Sequence, residues 1–553
     1  MELKEEIYGY LKGMVSIPSV SNTPAERAAA DYIGACLKGQ PYFKAYPSRQ
    51  GQYALDGDDL ERTAVYGLVK GSGSRTIVLT GHYDVVDTEE YGRFRNLAYD
   101  MEAWKELNGE ALEELMSMLS PEAGEDLQSG QWLFGRGVSD MKGGLSIGLA
   151  LMDWYGQQVL ENPGLSGSLL FAAVADEEAY SAGMRGTIPL FTGLAGEYGL
   201  RYACLIDLEP SFNEDGKQQV YIGSVGKIMP AILVQGAKAH VVECFHGLNA
   251  IGVLAEMYMH TELAPEFSET YEGEQCPPPT WFNLRDRKEG YDVSVPLRAA
   301  GYMSMLGFAR SSEDVMRRLK EIGRESFASY LKRMERQAAQ AAQGSELPKV
   351  DLDHCVMEYR ELAERCGKKK GYKDWYGEMY GRIQEKVRAG LLTFPQATLE
   401  MMDAMVTFAG ITDPVMVISF APPYYPAYHS DRLEEGKSGT GEGARLYHIL
   451  RRAAEETCGI RLGKRNYCCG ISDLSYCGGL DPASLASYAD NAPLWGSLYR
   501  MDIEAMGKFK VPSLLFGPVG RDAHRMSERV KARSLLEEVP VILQRFIEQM
   551  FAK

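Results

Sequence analysis

The chain has no Cys-x-x-Cys pair among its ten cysteines. That absence removes the zinc-ribbon and thioredoxin readings. Ten thiols in 553 residues also make no dense disulfide framework. Cys468-Cys469 lie in a turn-rich loop and read as packing rather than catalytic thiols. No run of 18 apolar residues occurs, so neither a membrane span nor a membrane partner is expected. The opening Met1-Glu-Leu-Lys-Glu-Glu lacks a basic segment followed by an apolar one, and the expectation is a cytoplasmic protein. Basic charge is scarce: 59 Lys and Arg against 76 Asp and Glu, a net charge of −17. Such a surface repels phosphate backbones, which argues against a nucleic-acid partner. The short run Lys368-Lys369-Lys370 reads as a solvated loop. Neither a phosphate-cradling G-x-x-x-x-G-K-[ST] loop nor an internal repeat is found.

What is present is ordinary globular material, 45% apolar and 24% charged. Leu3, Ile7, Leu11 and Val15 repeat at helical spacing, and Ser21 to Pro24 opens a second helix. Residues 63–69, 75–80, 168–175 and 202–206 are short apolar runs of the kind buried on both faces of a sheet. A helix is expected at 143–155. The first 210 residues therefore read as α/β. After Pro210 the expected order is strand, helix, two strands, long helix (312–343) and strand (350–357), an α+β layer. The α/β character returns with strands at 413–420 and 511–516 and a helix at 532–551.

Five segments place metal-type ligands just after apolar runs. They are Gly81-His82-Tyr-Asp84, Gly135-Arg-Gly-Val-Ser-Asp140-Met-Lys-Gly-Gly144, Asp176-Glu177-Glu178, Asp207-Leu-Glu209-Pro-Ser211 and Gly517 to Glu528 with His524. His82 offers an imidazole, and Asp84 can fix its tautomer from behind. Glycines around Asp140 allow the close backbone approach that a bridging carboxylate needs. Adjacent Glu177 and Glu178 are costly unless a cation or a proton compensates. Each segment alone is weak. Together, two histidines and several carboxylates sit at strand ends of an α/β sheet, where such folds bind ligands. Mixed nitrogen and oxygen donors suit zinc, with manganese or cobalt as alternatives.

These five segments, in this order, resemble the co-catalytic dizinc exopeptidase and deacylase family. That family includes succinyl-diaminopimelate desuccinylase, acetylornithine deacetylase, aminoacylase and carboxypeptidase G. Gly236-Ala-Lys-Ala-His240 and Gly247-Leu-Asn249 resemble its lid motif. The length, Pro422-Pro-Tyr-Tyr-Pro426 and the loop at Asp473 resemble most its arginine-utilisation subgroup. The resemblance implies a central mixed sheet flanked by helices, split as 1–216 and 359–553. It implies a smaller α+β lid inserted at 217–358, through which the chain forms a homodimer. It implies two zinc ions, one held by His82 and Glu209, the other by Glu178 and His524, with Asp140 bridging and followed by a cis peptide. Glu177 would be the general base and then the acid, Asp84 would orient His82, and His240 would stabilise the oxyanion. The implied reaction is hydrolysis of a peptide or N-acyl amide in a small amino-acid-like molecule. A deacylase for an arginine-derived compound and a metal-binding scaffold without turnover are the alternatives. Asn249, Asp473, Tyr424, Tyr425 and His429 are candidate substrate contacts.

The chain also departs from the family pattern. Val293-Ser-Val-Pro296 stands where relatives carry Asn-x-x-Pro, and Arg298 does not fall at the position that reads a substrate carboxylate. Val241-Val-Glu-Cys244 replaces a Ser-x-x-Pro. A long stretch between Asp84 and Asp140 carries Leu, Met and Glu at helical spacing over 91–130 and reads as a surface helical insertion, with a specificity or lid element as the alternative.

Overall fold

The apolar runs expected to be doubly buried strands form the middle of a nine-stranded mixed sheet. Its path is Gln50–Ala54, Thr63–Lys70, Ser166–Val174, Ser72–His82, Arg201–Asp207, Ser513–Leu515, Lys217–Tyr221 and Leu462–Arg465, with Asn213–Glu214 paired beside Lys217–Tyr221. Alternation along each strand explains why these runs look continuously apolar. Ile77, Leu79, Leu169, Phe171 and Ile206 join one core with Ile7, Leu11, Leu145, Leu149, Leu446 and Phe546 from helices. Val78, Leu170 and Leu205 are equally buried but lie one position out of step, on the other face. The computed structural model describes residues 3–214, 216–341, 347–433, 441–478, 480, 482–496 and 498–552. No helix among them is long and apolar enough to cross a membrane.

Four neighbouring strands decide where chemistry can occur. Ser166–Val174, Ser72–His82, Arg201–Asp207 and Ser513–Leu515 run parallel, in that spatial order. Their carboxyl ends therefore share one edge of the sheet. Asp176 to Glu178, His82, Glu209 and the His524 loop each follow one of these ends. Parallel α/β sheets bind ligands at such edges.

The chain divides into two units. The first holds this sheet and comprises Met1–Ser224, Tyr428–Gly479 and Asp502–Lys553; the second comprises Val225–Ala427 and Leu480–Met501. The second has a five-stranded sheet in the order Thr280–Asp286, Arg298–Gly307, Gly226–Gln235, Val415–Tyr425, Val356–Glu358. Val415, Val417, Ala231 and Leu233 pack with the Phe394–Ala409 helix, through Met401, Met402 and Met405. Met416 instead lies against Gly323 of the long helix Ser312–Gln340, where a Cβ would collide. Helices thus cover both faces of this sheet. The long helix starts where expected: Ser311 Oγ accepts the Asp314 N–H at 3.1 Å.

The boundaries of the second unit differ from the expected 217–358. Its start moves to Val225 because Lys217–Tyr221 pairs in parallel with Leu462–Arg465, inside the first sheet. Its end moves to Ala427 because Val415–Tyr425 pairs along Gly226–Gln235. Residues 480–501 join it because the Phe420 N–H donates to the Asn491 carbonyl at 2.9 Å and the Tyr488 hydroxyl to the Ala421 carbonyl at 3.0 Å. Helical periodicity alone carries no sign of which sheet a helix or strand will join.

Candidate active site

Each metal-type side chain is placed by a local reason. His82 is the last residue of its strand, so its ring leaves the sheet at the carboxyl edge. Its Nδ1 lies 3.1 Å from the Asp84 carbonyl and 3.5 Å from Asp84 Oδ1, which turns Nε2 inward. Asp140 sits in a glycine-rich turn before the helix Lys142–Glu161, and the Asp140–Met141 peptide is cis. Gly144 lies against the Leu208 carbonyl, where any Cβ would collide, so the turn can approach the sheet edge. Asp176 has a left-handed φ of 66°, which turns the chain sharply after the strand. Arg62 pairs with its carboxylate at 2.7 Å.

The resulting cluster is tight. His82 Nε2 lies 3.1 Å from Asp140 Oδ1, 3.2 Å from Glu209 Oε1 and 3.8 Å from Glu177 Oε2. His524 Nε2 lies 3.2 Å from Asp140 Oδ2 and 3.0 Å from Glu178 Oε2. Asp140 thus presents one oxygen to each histidine. Ligand atoms of His82, Asp140 and Glu178 fall within 4.8 Å of one another, as do those of His82, Glu177 and Glu209.

Electrostatics shows what the cluster lacks. Burial, then the nearby Asp140 charge, pushes Glu178 and Glu209 up to about 7. Burial also drives Glu177 far above the usual carboxylate range, with Glu209, Asp473 and Glu178 adding to it against His82. Burial would raise Asp140 too, but hydrogen bonds from His524 and His82 outweigh it and hold Asp140 low. Hydrogen bonds to Asp140 and Glu178 raise His524 to about 10. His82 rises as well: burial opposes its charge, and Glu209, Asp140 and Asp84 overcome that. In the protein alone, protons on acids and histidines balance a surplus of carboxylates. Divalent cations would do the same with nitrogen and oxygen donors already converging. The residues therefore fit divalent cations, their nitrogen and oxygen donors gathered around His82 and Asp140.

The description Peptidase family M20/M25/M40 matches residues 78–488, which is most of the chain. The chain belongs to this family. The M20 match contains His82, Asp140, Glu177, Glu178 and Glu209 and ends before His524, which the fold brings back to them. Two Bacillus subtilis proteins resemble the chain along almost its whole length. "Uncharacterized protein YqjN" is 28% identical over 98% of this chain and 96% of its own. "Protein RocB" is 24% identical over 98% and 94%. The succinyl-diaminopimelate desuccinylase of Rhodopseudomonas palustris is 27% identical over 44% of this chain and 54% of its own. Among solved structures, a Staphylococcus aureus tripeptidase superposes with a TM-score of 0.51 at 12% identity, covering 100% and 99% of the two chains. Aminopeptidase PepT of Bacillus cereus gives 0.50 at 12%, with the same coverage. These likenesses carry the M20 fold.

The remaining candidates are distributed as follows. Asp473 is buried in the first unit, close enough for its charge to raise Glu177 and Asp207. His429, also in the first unit, is buried with its ring 5.0 Å from Tyr467. His240 belongs to the second unit, is exposed, and accepts the Val242 N–H on Nδ1 at 3.2 Å. Asn249 caps the helix Ala250–Thr261, accepting the Ile251 N–H at 3.0 Å. Tyr424 and Tyr425 end a buried strand of the second unit; Tyr424 is bracketed by the Tyr499 hydroxyl and lies 4.4 Å from the Tyr488 ring. Arg298 is engaged inside its own unit by Gln235, Thr407 and Asp403.

Sequence reasoning missed Glu528. It is fully buried, accepts the Ser139 and Asp140 N–H groups at 3.1 Å each, and pairs with Arg136 at 2.7 Å. It thereby holds the turn that presents Asp140. Glu528 and Arg136 both lie in the quoted segments, but nothing in spacing joins residues so far apart in the chain. Lys142 was missed as well; burial lowers it to about 7, and its Nζ donates to the Ile17 carbonyl at 2.9 Å.

Proposed function

We propose that this M20 protein hydrolyses a peptide or N-acyl amide bond in a small amino-acid-like substrate, with two divalent cations, zinc first among them. The observation that carries this reading is Asp140, with Oδ1 at His82 and Oδ2 at His524. When bound, the two ions would supply Lewis acidity and lower the pKa of water toward neutrality. Glu177, 3.8 Å from His82 Nε2 and shielded from solvent, takes the water proton and returns it to the leaving nitrogen. Asp84 keeps His82 in one tautomer. His240 donates to the oxyanion from a second subunit. Asp473 serves the substrate side of the pocket, with His429 of the same unit as a further contact.

Homodimerisation through the second unit is part of this reading. Thr280–Asp286 is an edge strand. Phe282 on it is 56% exposed, and Met259 and Val242 of the same unit are 72% and 74% exposed. Exposed apolar groups and a strand at the end of a sheet both favour pairing with another chain. A deacylase acting on an arginine-derived compound is the narrower alternative; it follows the arginine-utilisation resemblance, which the likeness to Protein RocB along almost the whole chain supports.

Metal analysis and hydrolysis of an amide panel on zinc-loaded protein test the reading. The panel includes N-acyl amino acids, dipeptides and their arginine members. Two zinc ions per chain with turnover support it. Two zinc ions with no hydrolysis of any member favour a silent scaffold instead.

A further inference from the structure

The insertion between Asp84 and Asp140 takes no part in the chemistry above, yet it meets the one ligand loop that arrives from the far end of the chain. It folds as Glu89–Tyr99, Ala103–Glu106, Gly109–Met118 and Pro121–Ser129. The His524 loop is the tip of a hairpin in which Gly520–Arg521 pairs antiparallel with Arg529–Lys531. Arg529–Lys531 pairs on its other side with Trp132–Phe134, the strand that leads from the insertion into the Asp140 turn. Within the tip, Asp522 and His524 have φ of 53° and 67°. Asp and His enter this left-handed region more readily than most side chains, though still uncommonly, and the surroundings hold them there. Two backbone register pairs close the hairpin, the Arg525 and Glu528 N–H groups donate within the tip to the Asp522 and Arg525 carbonyls at 3.0 and 2.9 Å, and side chains add the rest of the restraint.

Asp126 supplies much of it, beside the more exposed Glu122, which pairs with Arg521 at 2.9 Å and lies 3.8 Å from Arg529. Asp126 Oδ2 accepts from Arg521 Nη1 at 2.8 Å and from Arg529 Nε at 2.7 Å. One carboxylate oxygen from the insertion thus ties together the two strands that carry the tip. Arg529, fully buried, reaches on to Asp522 Oδ2 at 2.5 Å, inside the tip. The Arg521 and Arg529 guanidiniums lie 4.8 and 5.5 Å from the Trp132 ring. Met526, two residues past His524, packs into a separate small core with Tyr91, Phe94, Trp104, Leu115 and Phe134.

We propose that the insertion braces the His524 loop and that Asp126 is a positioning residue for the cation site formed by Glu178 and His524. This rests on the metal-centre reading above. Asp126 acts through the arginines and the hairpin, so its removal weakens one site and leaves the other. Partners that orient a metal ligand from behind are commonly worth roughly 10–100-fold in affinity.

Asp126→Asn keeps the shape and removes the charge, while Arg529 retains Asp522. Zinc titration calorimetry on chelator-stripped full-length protein is the first readout, and amide hydrogen exchange over residues 520–529 without metal is the second. The expected result is two zinc-binding events in the original protein. In Asp126→Asn one of them weakens by roughly 10–100-fold, the other is unchanged, and exchange at 520–529 is faster. Asp126→Glu should recover part of the lost affinity. Unchanged affinity at both sites overturns the proposal, whatever the exchange shows. If the original protein binds fewer than two zinc ions, the metal-centre reading fails instead. Exchange at 520–529 equal in the two proteins then overturns the brace by itself. Should Asp126→Asn fail to fold, Arg521→Gln, which leaves Asp126 with the buried Arg529, is judged by the same criteria.

Discussion

Asp84 Oδ1 accepts the backbone N–H of Glu177 at 3.1 Å. The same oxygen lies 3.5 Å from His82 Nδ1, and Oδ2 accepts the Glu178 N–H at 3.2 Å and the Ser21 hydroxyl at 2.6 Å. A residue expected only to orient a histidine therefore also fixes the loop that carries Glu177 and Glu178. Burial opposes its charge, but these hydrogen bonds outweigh burial and hold Asp84 below the ordinary carboxylate range.

Asp84→Asn places an amide donor against backbone donors. Zinc affinity should fall by roughly 10–100-fold, and kcat should stay depressed at saturating zinc because the Glu177 loop has lost its anchor. Calorimetry and steady-state kinetics over a zinc series check this. Full recovery of kcat at high zinc would confine Asp84 to the histidine.

Glu177→Gln keeps the side-chain length and removes the base. Turnover should fall by about 10²–10⁴-fold, with the bound metal count unchanged by elemental analysis. Glu177→Asp should behave similarly, since it withdraws the carboxylate by one methylene. Parallel loss of zinc and activity in these variants would make Glu177 a ligand rather than the base.

The raised acids predict how the metal-free protein responds to pH. Glu178 and Glu209 rise from 4.5 to about 7 in the folded chain, and His524 from 6.5 to about 10. A raised folded-state pKa stabilises fully below the unfolded value and loses that contribution as pH climbs to the folded one. Chelator-stripped protein should therefore lose thermal stability as pH rises from 4.5 toward 10, and zinc should restore it most at the alkaline end. Zinc binding should release protons and weaken below about pH 7, as Glu178 and Glu209 regain theirs. Melting curves across pH, and calorimetry in buffers of different ionisation enthalpy, measure both. A metal-free Tm that climbs over that range would contradict the assignment.

Glu528→Gln breaks a fully buried pair with Arg136. Leaving a buried charge wholly without a partner costs about 3–5 kcal/mol, and because Arg136 keeps Glu90 the loss should lie at the low end of that range. Denaturant unfolding of the metal-free variant should show a loss of that order, and a change within error would exclude Glu528 as the anchor of the Asp140 turn.

His240→Ala should lower kcat by about 10²–10³-fold if His240 stabilises the oxyanion, with zinc content and melting temperature unchanged because the ring is exposed. Kinetics and sedimentation of the variant test this together with the dimer. Unaltered kcat in a protein that remains dimeric would remove the role.

Side-chain pattern alone carried the α/β class, the strand runs that form the middle of the sheet, and the histidines and carboxylates that cluster at its carboxyl edge. A doubly buried strand must be apolar throughout, and imidazoles and carboxylates at strand ends are readable from side-chain chemistry alone. It also located the helical insertion at 91–130. Tertiary structure decided the rest. Parallel pairing of four strands brings His524 to Asp140 across more than half the chain. Hydrogen bonding to Gly226–Gln235 draws Val415–Tyr425 into the second unit. Glu528 and Asp126 gain roles only from partners far away in sequence. Helical and strand periodicities report which face of an element is buried. Which element buries it, and which distant charge answers a buried carboxylate, are settled by long-range packing that leaves no local pattern.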